Sequence, residues 1–411
     1  MKNNKKNLIF IIGQVKNYMV NELLIEHYIK HYGSAGKILF SYCPYRICPL
    51  GAHVDHQHGY VTGFALNYGI GIAYTISDDD LCQVISHNFE KRKRFRVTEV
   101  LEKQNDWCDY IRGGVKALQK NGFDLKYGIN AYIYGELPVG GLSSSAANII
   151  SFLIAIANAN GFELTNQELI DYAFQAETEF VGMSIGKLDQ SCEVLSKKNK
   201  LLVLDTNNGK YKTIEFGKTG TKFEFLIVHC GAERLLEASS YNVRVDECKS
   251  AAFITNSYLG VYKKFKDTYL RDLDYDKFLE FKDKMPLPFA KRAMHFYSEN
   301  ERVHRGEDAW ANGDIVQFGK IVSESGKSSI ELYEAGSPLL IDLYNIMTNA
   351  MGVYGTRFMG GGFNGACLAI IDPTLEEECI KTIKEEYSKL HPEYADKVQF
   401  FICSSEDGVG K

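Results

Sequence analysis

Several features that would point to other protein classes are missing from this sequence of 411 residues. Its ten cysteines include no C-x-x-C pair, which argues against a zinc ribbon or a disulfide framework and indicates reduced thiols in a cytoplasmic protein. No run approaches the length of a membrane span, and the apolar residues 8–12 are too few for the core of a signal peptide. The Walker pattern GxxxxGK[ST] is also absent.

The charge balance excludes a further class of protein. The formal net charge is -5, which is not the electrostatic profile of a nucleic-acid-binding protein. Hydrophobic residues make up 45% of the chain and charged residues 24%, as in a globular enzyme. The length exceeds one typical hydrophobic core, so we expect two domains. A polar stretch at residues 207–221 suggests a division into residues 1–212 and 213–411.

The most informative segment is residues 136–150, ELPVGGLSSSAANII. Gly140 and Gly141 allow backbone conformations that other residues avoid. Three serines follow and supply hydroxyls and backbone N–H groups, and an apolar run then predicts a buried helix. A glycine-serine loop that opens a helix is a site for an anion, and we expect phosphate. The alternative is an N-capped core helix after a turn.

Two other motifs that contain glycine lie on either side of this loop in the sequence. Residues 42–60 read YCPYRICPLGAHVDHQHGY, and residues 359–368 read MGGGFNGACL. Between them lie QAETEFVG at residues 175–182 and Asp-Gln at residues 189–190. With these motifs the chain resembles the GHMP kinases, and within them the galactokinase branch, over nearly its whole length. Residues 46–55 correspond to that branch's sugar-binding signature, and residues 138–147 to its ATP-phosphate loop.

The resemblance implies an α+β fold of two domains. The N-terminal domain would be like domain 2 of ribosomal protein S5, and the C-terminal domain would be ferredoxin-like. The active site would lie in the cleft between them. It would transfer the γ-phosphoryl group of ATP, with Mg²⁺, to the anomeric hydroxyl of a small-molecule sugar or uronic acid. No nucleic acid or membrane partner is expected, and the oligomeric state stays open.

Catalytic and metal-binding roles follow from the same resemblance. Asp189 would be the general base, on the flank of a predicted helix from Ile185 to Leu195. Arg46 would lie beside it and neutralise developing charge. Glu177 would hold Mg²⁺ together with a hydroxyl of Ser145 or Ser144, since Mg²⁺ prefers hard oxygen ligands. On pattern alone, each of the two acids is also compatible with an ordinary helix surface.

The binding residues form two groups. Those expected to contact the nucleotide are Pro138, Gly140, Gly141, Leu142, Ser143, Ser144, Ser145 and Ala146. Those expected to contact the sugar are Arg46, Ala52, His53, Asp55, His56 and Tyr241. The histidines and Asp55 read alone suggest a zinc hydrolase, but their spacing matches no common zinc motif.

Ala52 and His56 depart from the galactokinase pattern, which carries glutamate and tyrosine at these places. Residues 41–53 look more like galacturonokinases. The galactokinase glutamate accepts a hydrogen bond from the substrate's 6-hydroxyl and would repel a uronate carboxylate. We therefore predict galacturonate as the substrate, with His56, Lys187 or Arg244 as possible donors to its carboxylate.

Other functions stay open at this stage. Galactose is the alternative substrate, because Ala52 by itself would also loosen the pocket for a neutral sugar. A sugar-sensing regulator without turnover is the alternative on the same fold. The retained residues 143–147 and Asp189 favour the enzyme.

Overall fold

The computed structural model of the protein describes residues 18–410, except residues 35, 90, 139, 219 and 233–237. The apolar segment at residues 8–12 lies outside this part. Among the described helices, none has the length and apolar character needed to cross a membrane. All ten cysteines are described, and they are buried free thiols.

The described residues form twelve strands and eleven α-helices. The strands are β1 (Leu39–Ile47), β2 (Tyr60–Ile76), β3 (Leu81–Ser86), β4 (Lys93–Arg96), β5 (Ile129–Gly135), β6 (Lys200–Asp205), β7 (Tyr211–Glu215), β8 (Glu224–His229), β9 (Val353–Phe358), β10 (Ala366–Ile371), β11 (Gln399–Cys403) and β12 (Ser405–Glu406). The helices are α1 (Tyr18–Tyr32), α2 (Asp109–Lys120), α3 (Ser144–Ala159), α4 (Asn166–Gln175), α5 (Leu188–Leu195), α6 (Ala238–Tyr258), α7 (Tyr275–Phe281), α8 (Leu287–Ala311), α9 (Ile315–Glu331), α10 (Pro338–Asn349) and α11 (Glu376–Leu390).

The strands belong to two sheets. The larger sheet has the order β4-β3-β5-β2-β6-β7, and β1 and β12 also pair with β2. The smaller sheet is antiparallel, with the order β11-β8-β10-β9. β2 is long enough to pair with β6 near its start and with β5 near its end. These sheets and their helices confirm the α+β class.

An irregularity in β1 lies at the position of Arg46. The register against β2 shifts between Pro44, which faces Gly69, and Arg46, which faces Ala65. Such bulges bend a strand and redirect its side chains, and they are frequent beside active sites. Gly69 permits the close approach of the two strands, because a Cβ there would lie 2.2 Å from the carbonyl oxygen of Cys43.

One hydrophobic core extends through both sheets. Phe64 of β2 packs against Phe225 of β8 at 5.2 Å between ring centroids and against Trp310 of α8 at 5.0 Å. Trp310 is fully enclosed, and its indole N–H donates to the carbonyl of Ile214 in β7. The two halves are therefore joined by aromatic packing, which fixes the cavity between their loops.

Several local predictions are confirmed. The T-N-Q-E pattern at residues 165–168 predicts a capping box and a helix that runs to about Val181, and Thr165 and Glu168 do form a capping box at the start of α4. Helical structure continues to Val181, but with a π-helical turn at Ala176–Val181. The division at residue 212 stays a prediction. The sheets add that β7 extends the larger sheet to Glu215 and that β12 returns to it near the end of the chain.

Candidate active site

A cavity is lined by residues from both halves of the chain. Eleven of the residues predicted for the site line it: Arg46, Ala52, His53, Asp55, Gly141, Ser143, Ser144, Ser145, Glu177, Asp189 and Tyr241. Five predicted residues do not: Pro138, Gly140, Leu142, Ala146 and His56. The structure thus brings together the proposed catalytic, metal and sugar groups and the serine part of the loop.

An ion pair between Arg46 and Asp189 occupies one side of the cavity. Arg46 Nε and Nη2 both lie 2.7 Å from Asp189 Oδ1, and Nη1 donates to the carbonyl of Gly141 at 2.8 Å. Burial by itself lowers the pKa of Arg46, but the carboxylate of Asp189 raises it above its ordinary value. The arginine therefore stays charged. In the part of the chain that the structure describes, Asp189 Oδ2 has no hydrogen-bond partner, and the side chain is 26% exposed.

Asp189 lies closer to a helix end than predicted. The predicted helix from Ile185 is wrong at its start, since α5 begins at Leu188 and residues 183–187 are irregular. The physical reason is Gly186, where a Cβ would lie 2.6 Å from Oδ2 of Asp55. This close approach holds the segment away from helical geometry and places Asp189 in the first turn of α5.

Asp55 is a buried carboxylate near Asp189. It begins a short 3₁₀ turn, Asp55–Gln57. Burial, and then the charge of Asp189, raise the pKa of Asp55 to about 6. Backbone N–H groups of Leu188 and His56 act in the opposite direction. Asp55 is therefore an acceptor for hydroxyls at neutral pH and loses this property in mild acid.

The glycine-serine loop packs against the loop formed by the motif at residues 359–368. A Cβ at Gly140 would lie 2.8 Å from Cα of Gly365, and a Cβ at Gly360 would lie 2.9 Å from Cα of Gly141. Gly140 is thus a packing residue, and Leu142 and Ala146 are buried residues that do not line the cavity. Ser143 has φ +62°, and α3 starts after it. The free N–H groups of this helix start are suited to phosphate.

Glu177 enters the cavity from the π-helical turn. Its carboxylate is 3% exposed and accepts a hydrogen bond from the side-chain amide of Gln190. Ser144 and Ser145 line the same cavity. One carboxylate with serine hydroxyls fits a Mg²⁺ ion that takes its other ligands from phosphates and water. No group of three His, Cys, Asp or Glu side chains suited to a metal ion occurs among the described residues.

His53 and His56, from the motif at residues 42–60, both contact Tyr333. The ring of His53 stacks on Tyr333 at 4.4 Å between centroids, and His56 Nε2 lies 3.1 Å from the Tyr333 hydroxyl. Burial lowers the pKa of His56 to about 3, so it is neutral at physiological pH. His56 therefore supports Tyr333 beneath the cavity and supplies no positive charge to it.

Lys187 and Arg244, which the sequence suggested as donors to a sugar carboxylate, form ion pairs outside the cavity. Lys187 pairs with Asp171 at 2.6 Å, and Arg244 pairs with Glu247 at 3.0 Å. Neither lines the cavity. A cation to which the sequence assigned no role, Arg357 of β9, does line it. Its position two residues before the motif at residues 359–368 was a signal, but nothing in the sequence says where its side chain points.

Tyr241 completes the wall near Asp55 and Asp189. Loss of solvent raises the pKa of its hydroxyl well above the ordinary value, and the two carboxylates add to this effect. The hydroxyl therefore stays protonated and can donate a hydrogen bond.

Comparison with known proteins agrees with this geometry. The pattern described as "GHMP kinases N terminal domain" matches residues 109–197. The chain is 36% identical to the galacturonokinase of Arabidopsis thaliana over 91% of this chain and 93% of that protein. It is 31% identical to a galactokinase of Thermotoga neapolitana, over 90% and 98%. The crystal structure of Lactococcus lactis galactokinase complexed with galactose superposes with a TM-score of 0.86 at 25% identity, covering 95% of this chain and 99% of that one.

Proposed function

The chain belongs to the GHMP kinase family, in its galactokinase branch, and from this premise we propose that it is an ATP-dependent kinase that phosphorylates the anomeric hydroxyl of galacturonate. The observation that carries the proposal is the cavity itself. It brings the Arg46–Asp189 pair, the serine loop at the start of α3 and Ala52 to one place. A cytoplasmic location belongs to the proposal, because ten reduced thiols suit a reducing compartment.

Phosphoryl transfer requires positioning and charge stabilisation more than covalent participation by the protein. The anomeric oxygen of the sugar forms a bond to the γ-phosphorus of ATP, and the bond from that phosphorus to the bridging oxygen of ADP breaks. The anomeric proton passes to Asp189, whose Oδ2 has no partner in the described chain. The products are galacturonate 1-phosphate and ADP.

Other residues of the cavity have supporting roles in this account. Arg46 carries positive charge next to the reacting oxygen and holds Asp189 in place through two contacts of 2.7 Å. The start of α3 and residues 143–145 bind phosphate oxygens. Glu177 and Ser145 or Ser144 would hold Mg²⁺, which neutralises phosphate charge when it is bound.

The small, uncharged side chain of Ala52 is the feature that favours an acidic sugar over a neutral one. A glutamate at this place would face the C6 end of the sugar, as the resemblance to galactokinases implies. Two like charges about 4 Å apart repel by about 4 kcal/mol at an effective dielectric constant near 20. Ala52 removes this repulsion and leaves space for a carboxylate. The name of the Arabidopsis relative supports the same choice. Galactose is the second candidate, supported by the galactose complex of the Lactococcus enzyme.

We expect Asp189→Asn to remove nearly all turnover. Asparagine keeps the size of the side chain but cannot take the proton, so kcat should fall by about 10²–10⁴-fold. The dissociation constant of the sugar, measured by calorimetry, should change by less than about fivefold, because hydrogen bonding is partly kept. Asp171→Asn, at a carboxylate outside the cavity, is the matched control. Turnover close to that of the unaltered protein would remove Asp189 from its role.

The pH dependence of kcat/KM should follow the protonation of Asp55. We expect kcat/KM for the sugar to fall as the pH drops through about 6, because the carboxylate then becomes protonated and loses an acceptor. The pKa of His56 is about 3 and that of His295 about 4, both through burial, so neither titrates in this range. In Asp55→Asn the inflection should disappear. An inflection that persists in this variant would assign it to another group.

The choice of sugar is tested by kcat/KM for galacturonate and galactose in a coupled ADP-release assay. The unaltered protein should prefer galacturonate, and Ala52→Glu should lower its galacturonate value by about one to three orders of magnitude while galactose gains relative to it. Ala52→Gln is the control, since it adds the same bulk without charge and should have a much smaller effect. A preference of the unaltered protein for galactose would contradict galacturonate as the substrate but not the kinase activity.

A further inference from the structure

The segment at residues 50–54 carries two of the residues that line the cavity, Ala52 and His53. Where the segment begins, it is tied to β2. The backbone N–H of Leu50 donates to the Thr62 hydroxyl at 3.0 Å, and the same hydroxyl donates to the Leu50 carbonyl at 2.9 Å. The residues that follow belong to neither sheet. The positions of Ala52 and His53 therefore depend on contacts with other elements.

Two buried side chains of α8 hold this segment from the C-terminal half of the chain. Glu299 accepts the backbone N–H of Gly51 at 2.8 Å, and His295 Nε2 lies 3.0 Å from the carbonyl oxygen of Ala52. The two side chains are one helical turn apart, and neither is exposed to solvent. A backbone N–H and a backbone C=O that lie outside the sheets thus both have partners on α8.

His295 can hold the Ala52 carbonyl only as a donor, so its proton must lie on Nε2. Nδ1 is then an acceptor, and it lies 2.9 Å from the Ser328 hydroxyl, which can donate to it. Burial lowers the pKa of His295 to about 4, so the ring is neutral at physiological pH and has a single N–H. Ser328 therefore fixes both the tautomer and the direction of the ring.

The residue after Ala52 has a backbone conformation that needs this support. His53 has φ +60°, in the left-handed region that residues other than glycine rarely adopt, and the surrounding structure must offset the cost. The angle describes how the peptide group between Ala52 and His53 is turned. Because His295 holds the oxygen of that planar group, it also holds the φ angle of His53.

The direction of the His53 side chain matters for a ligand. In the part of the chain that the structure describes, His53 Nε2 is buried without a hydrogen-bond partner, although the ring lines the cavity. One face of the ring stacks on Tyr333. A buried polar atom of this kind is stabilised by a partner from a ligand. A turned peptide would move the ring off Tyr333 and point Nε2 elsewhere.

We propose that His295 is a positioning residue for sugar binding, which holds the peptide before His53 and thereby directs His53 into the cavity. This inference rests on the proposed function, which supplies the sugar. His295 does not itself line the cavity, so it acts through the backbone of Ala52. A side chain of the C-terminal half would in this way determine how well a motif of the N-terminal half binds its substrate.

The test measures KM for galacturonate and for ATP in His295→Leu. We expect KM for galacturonate to rise about tenfold, because one buried hydrogen bond is lost, and KM for ATP to change less than about twofold. His295→Gln keeps an N–H that can reach the same carbonyl and should stay within about threefold of the unaltered protein. A purely structural loss would instead lower kcat through the folded fraction and leave KM for both substrates unchanged.

Asn300→Ala is the matched control on the same helix. Asn300 Oδ1 accepts the backbone N–H of Tyr60 at 2.7 Å, so this variant also removes a bond between α8 and the motif at residues 42–60. Neither Asn300 nor Tyr60 lines the cavity. The midpoint of thermal unfolding should therefore fall, whereas KM for galacturonate should stay the same.

An unchanged KM for galacturonate in His295→Leu, or an equal rise in Asn300→Ala, would overturn the inference. If His295→Leu does not fold, Ser328→Ala decides, because it removes only the partner of Nδ1. It should raise KM for galacturonate about threefold, and an unchanged value contradicts the inference. If the unaltered protein prefers galactose, the proposed substrate is wrong, and the same comparison made with galactose decides whether His295 positions the sugar site.

Discussion

The buried contact of Arg46 with Asp189 is the interaction on which the rest of the site depends. It joins β1, the first turn of α5 and, through the carbonyl of Gly141, the glycine-serine loop. A buried ion pair is costly unless further hydrogen bonds satisfy it, and the bond to Gly141 does this. The bulge before Arg46 and the irregular segment around Gly186 are the local distortions that allow the pair to form.

The balance of charge in the cavity explains how one scaffold handles a phosphate donor and an acidic sugar. In the proposed mechanism, Asp189 takes the proton, Glu177 would hold the metal ion and Asp55 accepts hydrogen bonds from the sugar hydroxyls. Because burial keeps His53 and His56 neutral, they supply shape rather than charge. Among the described residues that line the cavity, the cationic side chains are Arg46 and Arg357, and the start of α3 adds partial positive charge. In this account Arg46 acts at the C1 end of the sugar, next to Asp189.

Much of the fold and site is encoded in contiguous sequence and was predictable. The glycine-serine loop, the capping box and the strand at residues 81–86 depend on neighbours in the chain, which short patterns describe well. What failed depends on tertiary contacts. His56 was expected in the cavity but bonds to Tyr333, which is 277 positions away. Arg357 could not be placed from the sequence either, because its position depends on hydrogen bonds to Ser325 and Ser329 of α9.

The central claim is that a uronate binds with its anomeric hydroxyl at Asp189 and its C6 carboxylate beside Ala52. The most direct measurement is a crystal structure of the protein with galacturonate and a non-hydrolysable ATP analogue. We expect the anomeric oxygen about 3 Å from Asp189 Oδ2, in line with the γ-phosphorus, and the carboxylate next to the side chain of Ala52. A sugar bound in the reverse direction, or a carboxylate that faces solvent, would contradict it.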